Sequence, residues 1–264
     1  IAKIHEAFEY QGIKKGDKIA LLGKNSVNWS VVFLATVTYG SVIVPILPDF
    51  VPEDVEHIVN HSDSVMLFSS GALYQDLDIK NMKELKSVIG LEEFKPLYSS
   101  TKKSESIMDE AEKAFQKKYG DSFGPEQFNV AEVPNSELAE ISYTSGTTGY
   151  SKGVMIPHNS LIANIRFAHD NMPLQPGDRI VSFLPLAHSY GCAFEFLFPF
   201  TLGCHITFLG KTPTPQIIMQ AFSEIRPRLI LSVPLVIEKI YKKQLIPVIS
   251  KPSMKFLLKV PGFN

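Results

Sequence analysis

Residues 17–47 read DKIALLGKNSVNWSVVFLATVTYGSVIVPIL, and this stretch decides the fold class. Lys18 to Leu22 is a short apolar run directly after Lys15-Gly16-Asp17, the form of a buried strand. Asn28 to Tyr39 is longer and apolar. Ser26 stands before it as a cap and Gly40 after it as a stop, so it predicts a helix. Val42 to Leu47 reads as a second buried strand ending among prolines. Further along, Pro52-Glu53-Asp54 opens a helix, with Pro in the first turn and acids near the positive end of the helix dipole. Val65 to Phe68 predicts the next strand. A β-α-β-α-β succession of this kind implies a parallel sheet covered by helices.

Lys80 to Phe128 is different in character, being polar and lysine-rich. It reads as a surface excursion, with a loop at Tyr98 to Lys103 and a helix from Ser104 to Tyr119. After Pro134 the alternation resumes. Strands are expected at Leu138 to Tyr143, Val154 to Ile156, Arg179 to Leu184, His205 to Phe208 and Leu229 to Val233. Helices are expected at Asn159 to Phe167, around Ala193 to Leu202, at Pro215 to Glu224 and at Pro234 to Lys243. No internal repeat is visible.

Composition narrows the class. The chain has 264 residues, of which 45% are hydrophobic and 20% charged, values of an ordinary globular protein with a substantial core in one or two domains. With 26 Lys+Arg against 27 Asp+Glu the net charge is -1, which supplies no global basic field and argues against a nucleic-acid binder. Two cysteines, Cys192 and Cys204, are too few for a disulfide framework or a zinc cluster and read as buried free thiols. The most apolar segment, Cys192 to Leu202, carries Glu195 inside it and is far shorter than the roughly 20 residues of a spanning helix. These features fit a cytoplasmic protein, with peripheral membrane contact left open. The chain starts at Ile1 and stops at Asn264 without closing an element, which reads as a piece of a longer protein.

The segment with chemical content is Tyr143-Thr144-Ser145-Gly146-Thr147-Thr148-Gly149-Tyr150-Ser151-Lys152-Gly153-Val154. Its glycines permit backbone angles at which successive N–H groups converge on an anion. Its hydroxyls add donors, and Lys152 adds a compact cation suited to phosphate. The loop follows a strand, where α/β proteins place their ligands. It lacks the GK[ST] ending of a Walker A loop and does not match G-x-G-x-x-G. Taken by composition alone, it could equally be a Ser/Thr/Gly linker or a strand-to-strand turn.

In this order of residues the segment resembles the phosphate-binding signature of the adenylate-forming superfamily: acyl-CoA synthetases, adenylation domains of peptide synthetases and luciferases. Ser151 stands where that family usually has Pro. The resemblance implies that Thr144, Ser145, Gly146, Thr147, Thr148, Gly149 and Lys152 wrap the β- and γ-phosphates of ATP, with Thr147 touching Mg²⁺. Tyr39 to Ile46 resembles the family's upstream element. Leu184-Pro185-Leu186-Ala187-His188-Ser189-Tyr190-Gly191 resembles the downstream one, whose His borders the acyl pocket. Ser232-Val233-Pro234 with Glu238-Lys239-Ile240-Tyr241 resembles the long-chain fatty-acyl branch. Together these span from about Asp17 to about Lys243.

The resemblance implies an α/β fold of stacked, mostly parallel sheets flanked by helices. Residues 1–264 would be an incomplete N-terminal adenylation (AMP-binding) domain. The Mg²⁺-binding Glu, the ribose-binding Asp and the small C-terminal domain with its catalytic Lys would lie outside the chain. The implied activity is that of a long-chain-fatty-acid–CoA ligase using ATP, Mg²⁺ and coenzyme A, with Lys152 and His188 as catalytic residues and a fatty acid as substrate. Phe183, Phe194, Phe196, Phe198, Phe200 and Phe208 are candidate walls for an acyl tunnel. The residues 194, 196, 198 and 200 share one face only if their segment is a strand. Three alternatives stay open: an acyl-AMP ligase that delivers to a carrier protein, a medium-chain or aryl-acid ligase, and a nucleotide-binding fragment without catalysis.

Overall fold

The computed structural model describes residues 1–144, 151–210, 212–252 and 254. Its centre is the segment that opens the analysis above. Strand β1 (Lys18–Leu22) leads into helix α1 (Val27–Tyr39), which returns through β2 (Val42–Ile46). The Ser26 hydroxyl accepts the Trp29 N–H at 3.1 Å and so starts the helix. Gly40 ends it at φ 86, a left-handed conformation that a side chain resists. Helix α2 (Pro52–His61) then crosses back to β3 (Ser64–Ser69), which lies on the opposite side of β1 from β2.

These two crossovers put the helices on opposite faces of the sheet. Ile19, Leu21 and Ile43 cluster with Trp29, Val32 and Phe33 of α1. Ala20, Leu22, Val44 and Ile46 cluster with Val55, Ile58 and Val59 of α2. Alternate residues of one strand thus serve two cores, and none of β1's apolar side chains is more than 2% exposed. That is why the strand reads as a continuous apolar run.

The region 80–128 corrects the sequence expectation. It is not only a surface excursion, because it adds β4 (Ser87–Gly90), parallel to β3, and β5 (Pro96–Ser99), antiparallel to β4. Val88 and Ile89 are fully buried. Tyr98 and Ser99, expected in a loop, belong to β5, and the expected helix from Ser104 breaks at Ser106 into Lys102–Glu105 and α3 (Ile107–Tyr119). Ile107 and Ala111 of α3 join the same core as Ile4, Ala7 and Phe8 of the N-terminal helix Ala2–Gln11.

Beyond β2 the sheet continues with β6 (Leu138–Thr144) and an antiparallel β7 (Lys152–Pro157), giving the order β5-β4-β3-β1-β2-β6-β7. A second, smaller sheet pairs β8 (Arg179–Ser182) with β9 (His205–Phe208) in parallel. Leu229 meets it through a single bridge to Ile180, so the strand expected at Leu229 to Val233 is not formed.

Residues 189–202 are helical, with a wider π turn over Cys192–Leu197 between α-helical turns. This settles the phenylalanine question. Phe196 packs against Trp29 and Phe33, with ring centroids 6.2 and 5.7 Å apart. Phe198 is buried in a different cluster with Ala168, Leu174 and Ile180. Phe200 is half exposed. The Phe196 and Phe200 rings lie 6.0 Å apart, whereas Phe194 packs on the cluster of Phe198, so the four fall on two faces and cannot form one tunnel wall. What Phe196 does is join the helical segment of the second sheet to the first sheet's core.

We expect Phe196→Ala to destabilise the protein by about 3–5 kcal/mol, the usual cost of deleting a buried ring. Phe200→Ala should cost under about 1 kcal/mol. Urea unfolding of the two variants against the parent measures the difference, and equal losses would contradict this packing.

Candidate functional site

Strands β1, β2, β3, β4 and β6 run parallel, so their carboxyl ends share one edge of the sheet. Open α/β sheets bind ligands at that edge. The two ends of the segment singled out for phosphate contact lie there. Thr144 ends β6, Lys152 begins β7, and the two are paired across the hairpin in register. Both are exposed. Ser145, Gly146, Thr147, Thr148 and Gly149, the other expected phosphate contacts, lie outside the described residues, as does the expected Mg²⁺ contact of Thr147.

The base of this hairpin is firmly built. Tyr143 is buried, and its hydroxyl shares a 2.7 Å hydrogen bond with His61 Nδ1 at the end of α2. Gly153 faces it across the hairpin. A Cβ there would stand 2.9 Å from Ile141 Cγ2 and 3.2 Å from the Tyr143 ring. Gly153 is therefore needed for close packing inside β7, a different reason from the loop freedom expected of it.

His188 sits on the turn that leaves β8 of the second sheet. It is exposed and caps the helical segment 189–202, its Nδ1 accepting the Tyr190 N–H at 3.2 Å. In the neutral ring the proton is then on Nε2. Gly191 closes the motif. A Cβ at that position would meet the Pro185 carbonyl oxygen at 2.5 Å, so only glycine lets the turn pack this closely. Two residues after His188, Tyr190 lines an open, largely apolar cleft of about 310 Å³ together with Phe183, Phe222, Ile230, Leu231 and Ile237; His188 itself is not in its wall. A second, smaller cavity of about 120 Å³ is walled by Lys24, Asn25, Pro48 and Asp49 from loops of the first sheet and by Phe183 and Leu209 from loops of the second. Of the expected acyl-wall residues, Phe183 is the one that borders both.

Among the described residues no group of three or more His, Cys, Asp or Glu side chains could hold a metal ion. The donor set at the hairpin mouth is of another kind, an exposed hydroxyl at Thr144 facing an ammonium at Lys152. That chemistry fits a phosphate group, and hydroxyl oxygen is also a ligand type that Mg²⁺ accepts.

The chain belongs to the AMP-binding enzyme family. The family model matches residues 3–259. Among curated relatives, the chain is 29% identical to the probable acyl-activating enzyme 16, chloroplastic, of Arabidopsis thaliana, over 96% of this chain and 36% of that protein. It is 28% identical to the long-chain-fatty-acid–CoA ligase FadD15 of Mycobacterium bovis, over 87% of this chain and 36% of that one. The chain thus spans about a third of the length of these AMP-binding relatives. Its fold is that of the ATP-bound MatB from Rhodopseudomonas palustris, with a TM-score of 0.73 at 21% identity over 92% of this chain and 44% of that one. The α/β class, the mostly parallel sheet and the adenylate-forming family are as the sequence implied. No helix among the described residues is long and apolar enough to cross a membrane.

Two buried carboxyls went unread as structural groups. Glu195, noted in the sequence only as a charge in an apolar run, is 1% exposed, and burial pushes it up to about 8 against the pull of the Leu184 and Phe183 N–H groups and of Ser182. Glu140 in β6 is fully buried without a hydrogen-bond partner among the described residues, and burial pushes it up to about 7. Both bind a proton in the folded protein that the unfolded chain releases at ordinary carboxylate pKa. Their contribution to stability is therefore intact below the unfolded value of 4.5 and is lost as pH rises toward 7 and 8. We expect Glu140→Gln and Glu195→Gln to gain stability relative to the parent as pH rises from 5 to 8. Thermal melting of all three across that range checks it, and a constant difference would refute the assignment.

Proposed function

We propose that the protein containing this chain activates a fatty acid at the expense of ATP. In this reading the carboxylate attacks the α-phosphate, forming an acyl-adenylate and releasing pyrophosphate. The thiol of coenzyme A then displaces AMP to give the acyl-CoA. The observation that carries the reading is the Ser/Thr/Gly connection whose two ends, Thr144 and Lys152, are paired at the carboxyl edge of the sheet. Both partners of the first step are anions, so phosphate charge must be neutralised before they can approach. Lys152 supplies a cation, Thr144 a hydroxyl, and Ser145 to Gly149 backbone N–H groups and further hydroxyls. Mg²⁺, held with help from Thr147, would supply further neutralisation of phosphate charge.

On the other side, His188 borders the carboxylate end of the acid, and the apolar cleft that Tyr190 lines accepts the chain. Such a cleft suits a fatty acyl tail, whose burial is worth about 0.8 kcal/mol per methylene. Residues 1–264 serve as part of the large N-terminal adenylation domain, and the small C-terminal domain with its Lys follows in the whole protein. Incubated alone with ATP, Mg²⁺, palmitate and coenzyme A, the 264-residue chain should therefore form no acyl-CoA. Turnover at the rate of the whole protein would overturn the domain assignment.

In the whole protein, Lys152→Ala should remove one charge-assisted contact of about 1.5–3 kcal/mol. Adenylation should then fall roughly 10- to 200-fold, and to the same extent for every acid. Lys152→Arg should rescue only in part, since a planar fork does not replace a compact ammonium. His188→Ala should lose activity to a degree that depends on which acid is offered. Acid-dependent ATP–pyrophosphate exchange with two acids of different length reads both. Wild-type exchange with no acid at all would remove the proposed activity, and equal loss for both acids would remove His188 from the acyl site.

A further inference from the structure

The turn that presents His188 runs through a dry region, and its backbone is satisfied by two side chains from other parts of the fold. Glu195 Oε2 accepts the N–H groups of Phe183 and Leu184, both at 2.8 Å. Asn25, in the loop between β1 and α1, donates from Nδ2 to the Leu184 carbonyl at 2.7 Å and to Ser182 Oγ at 3.3 Å. Its Oδ1 accepts the Leu186 N–H at 3.0 Å. Leu184 is thus held at its N–H by one side chain and at its carbonyl by the other. Phe183, Leu184, Leu186 and Glu195 are all under 8% exposed, so water is a poor substitute for either partner.

We propose that Asn25 and Glu195 are positioning residues that jointly fix the Phe183–His188 turn, and with it the placement of the His188 ring at the carboxylate end of the acid. The consequence for catalysis rests on the role given to His188 above; the clamp itself does not. Asn25 is suited to its place because an amide is both donor and acceptor, and the turn offers one carbonyl and one N–H to it. Glu195 meets two N–H groups with a single oxygen, while its other oxygen has no hydrogen-bond partner among the described residues. A glutamine can reproduce that acceptor, and an alanine cannot. The Glu195 carboxyl reaches the turn from the π turn Cys192–Leu197, a helical irregularity of a kind that recurs at functional sites.

The test uses the full-length protein with Asn25→Asp, Asn25→Ala, Glu195→Ala and Glu195→Gln. Amide hydrogen exchange is followed in peptides covering 183–188, with peptides from β1 and β3 as internal controls. The KM for fatty acid and the KM for ATP are then measured by pyrophosphate exchange. We expect faster exchange confined to 183–188 in Asn25→Ala, Asn25→Asp and Glu195→Ala. The KM for the acid should rise roughly 3- to 10-fold while that for ATP changes less than about 2-fold. Glu195→Gln should stay near wild type in both. Unchanged exchange in the Asn25 variants, or acid and ATP constants rising together, would overturn the proposal, as would a Glu195→Gln variant as impaired as Glu195→Ala. Should Glu195→Ala fail to fold, Asn25→Asp carries the same comparison, because it keeps the size and reverses the donors facing Leu184. A wild-type protein that activates no acid would remove the proposed function, and the amide exchange would still decide the clamp.

Discussion

Parallel pairing on both sides of β1 is the constraint from which the rest of the structure follows. A strand flanked by β2 and β3 in this way has no face to give to water, and each face must be covered by a helix. Helices α1 and α2 supply the two covers from opposite sides. Every parallel strand then ends at the same edge, and the connections that leave these strands start there. The paired ends of the Ser/Thr/Gly connection, Thr144 and Lys152, are at this edge because the middle of the sheet is fully committed to packing.

The second sheet attaches to this frame by two different means. Apolar contact comes from Phe196 against Trp29 and Phe33, which is strong and without directional demand. Directional contact comes from Asn25, whose hydrogen bonds cross to the turn after β8, while Glu195 braces the same turn from within the second sheet's own segment. The first kind of contact decides that the sheets associate. The second decides which backbone geometry His188 inherits.

How much of this was legible in the sequence varies with the range of the interactions. The elements β1, α1 and β2 fall within about one residue of their expected bounds, because the signals are local: an apolar run, a Ser cap at Ser26, a glycine stop at Gly40. Strands β4 and β5 were missed because each is four residues long and set among lysines and glutamates. What makes β4 a strand is a partner, β3, 21 residues back in the chain, and β5 is a strand only because β4 is there to pair with it. The phenylalanines at 194, 196, 198 and 200 fit two periods over so short a span, and only the helical backbone decides between them. At the site, Thr144, Lys152 and His188 were visible as residue types in a recognisable order. Asn25 was not, since its partners lie 157 to 161 residues downstream. Glu195 gave a signal that was read only as a bar to membrane insertion. A lone acid in an apolar helix must find partners or take up a proton, and here it does both.

On the proposed reading, the two halves of the site answer to different sheets. The phosphate side hangs from a hairpin braced by Tyr143, His61 and Gly153 on the first sheet. The acid side hangs from the turn after β8 on the second. In-line attack of a carboxylate on phosphorus demands close placement of both, and a misplacement of about 1 Å can cost on the order of 100-fold. The alignment therefore depends on how the sheets meet, more than on any one residue that touches substrate. Asn25 belongs by sequence to the first sheet and by hydrogen bonding to the second. Through its hydrogen bonds a displacement of one half of the site would be felt directly by the other.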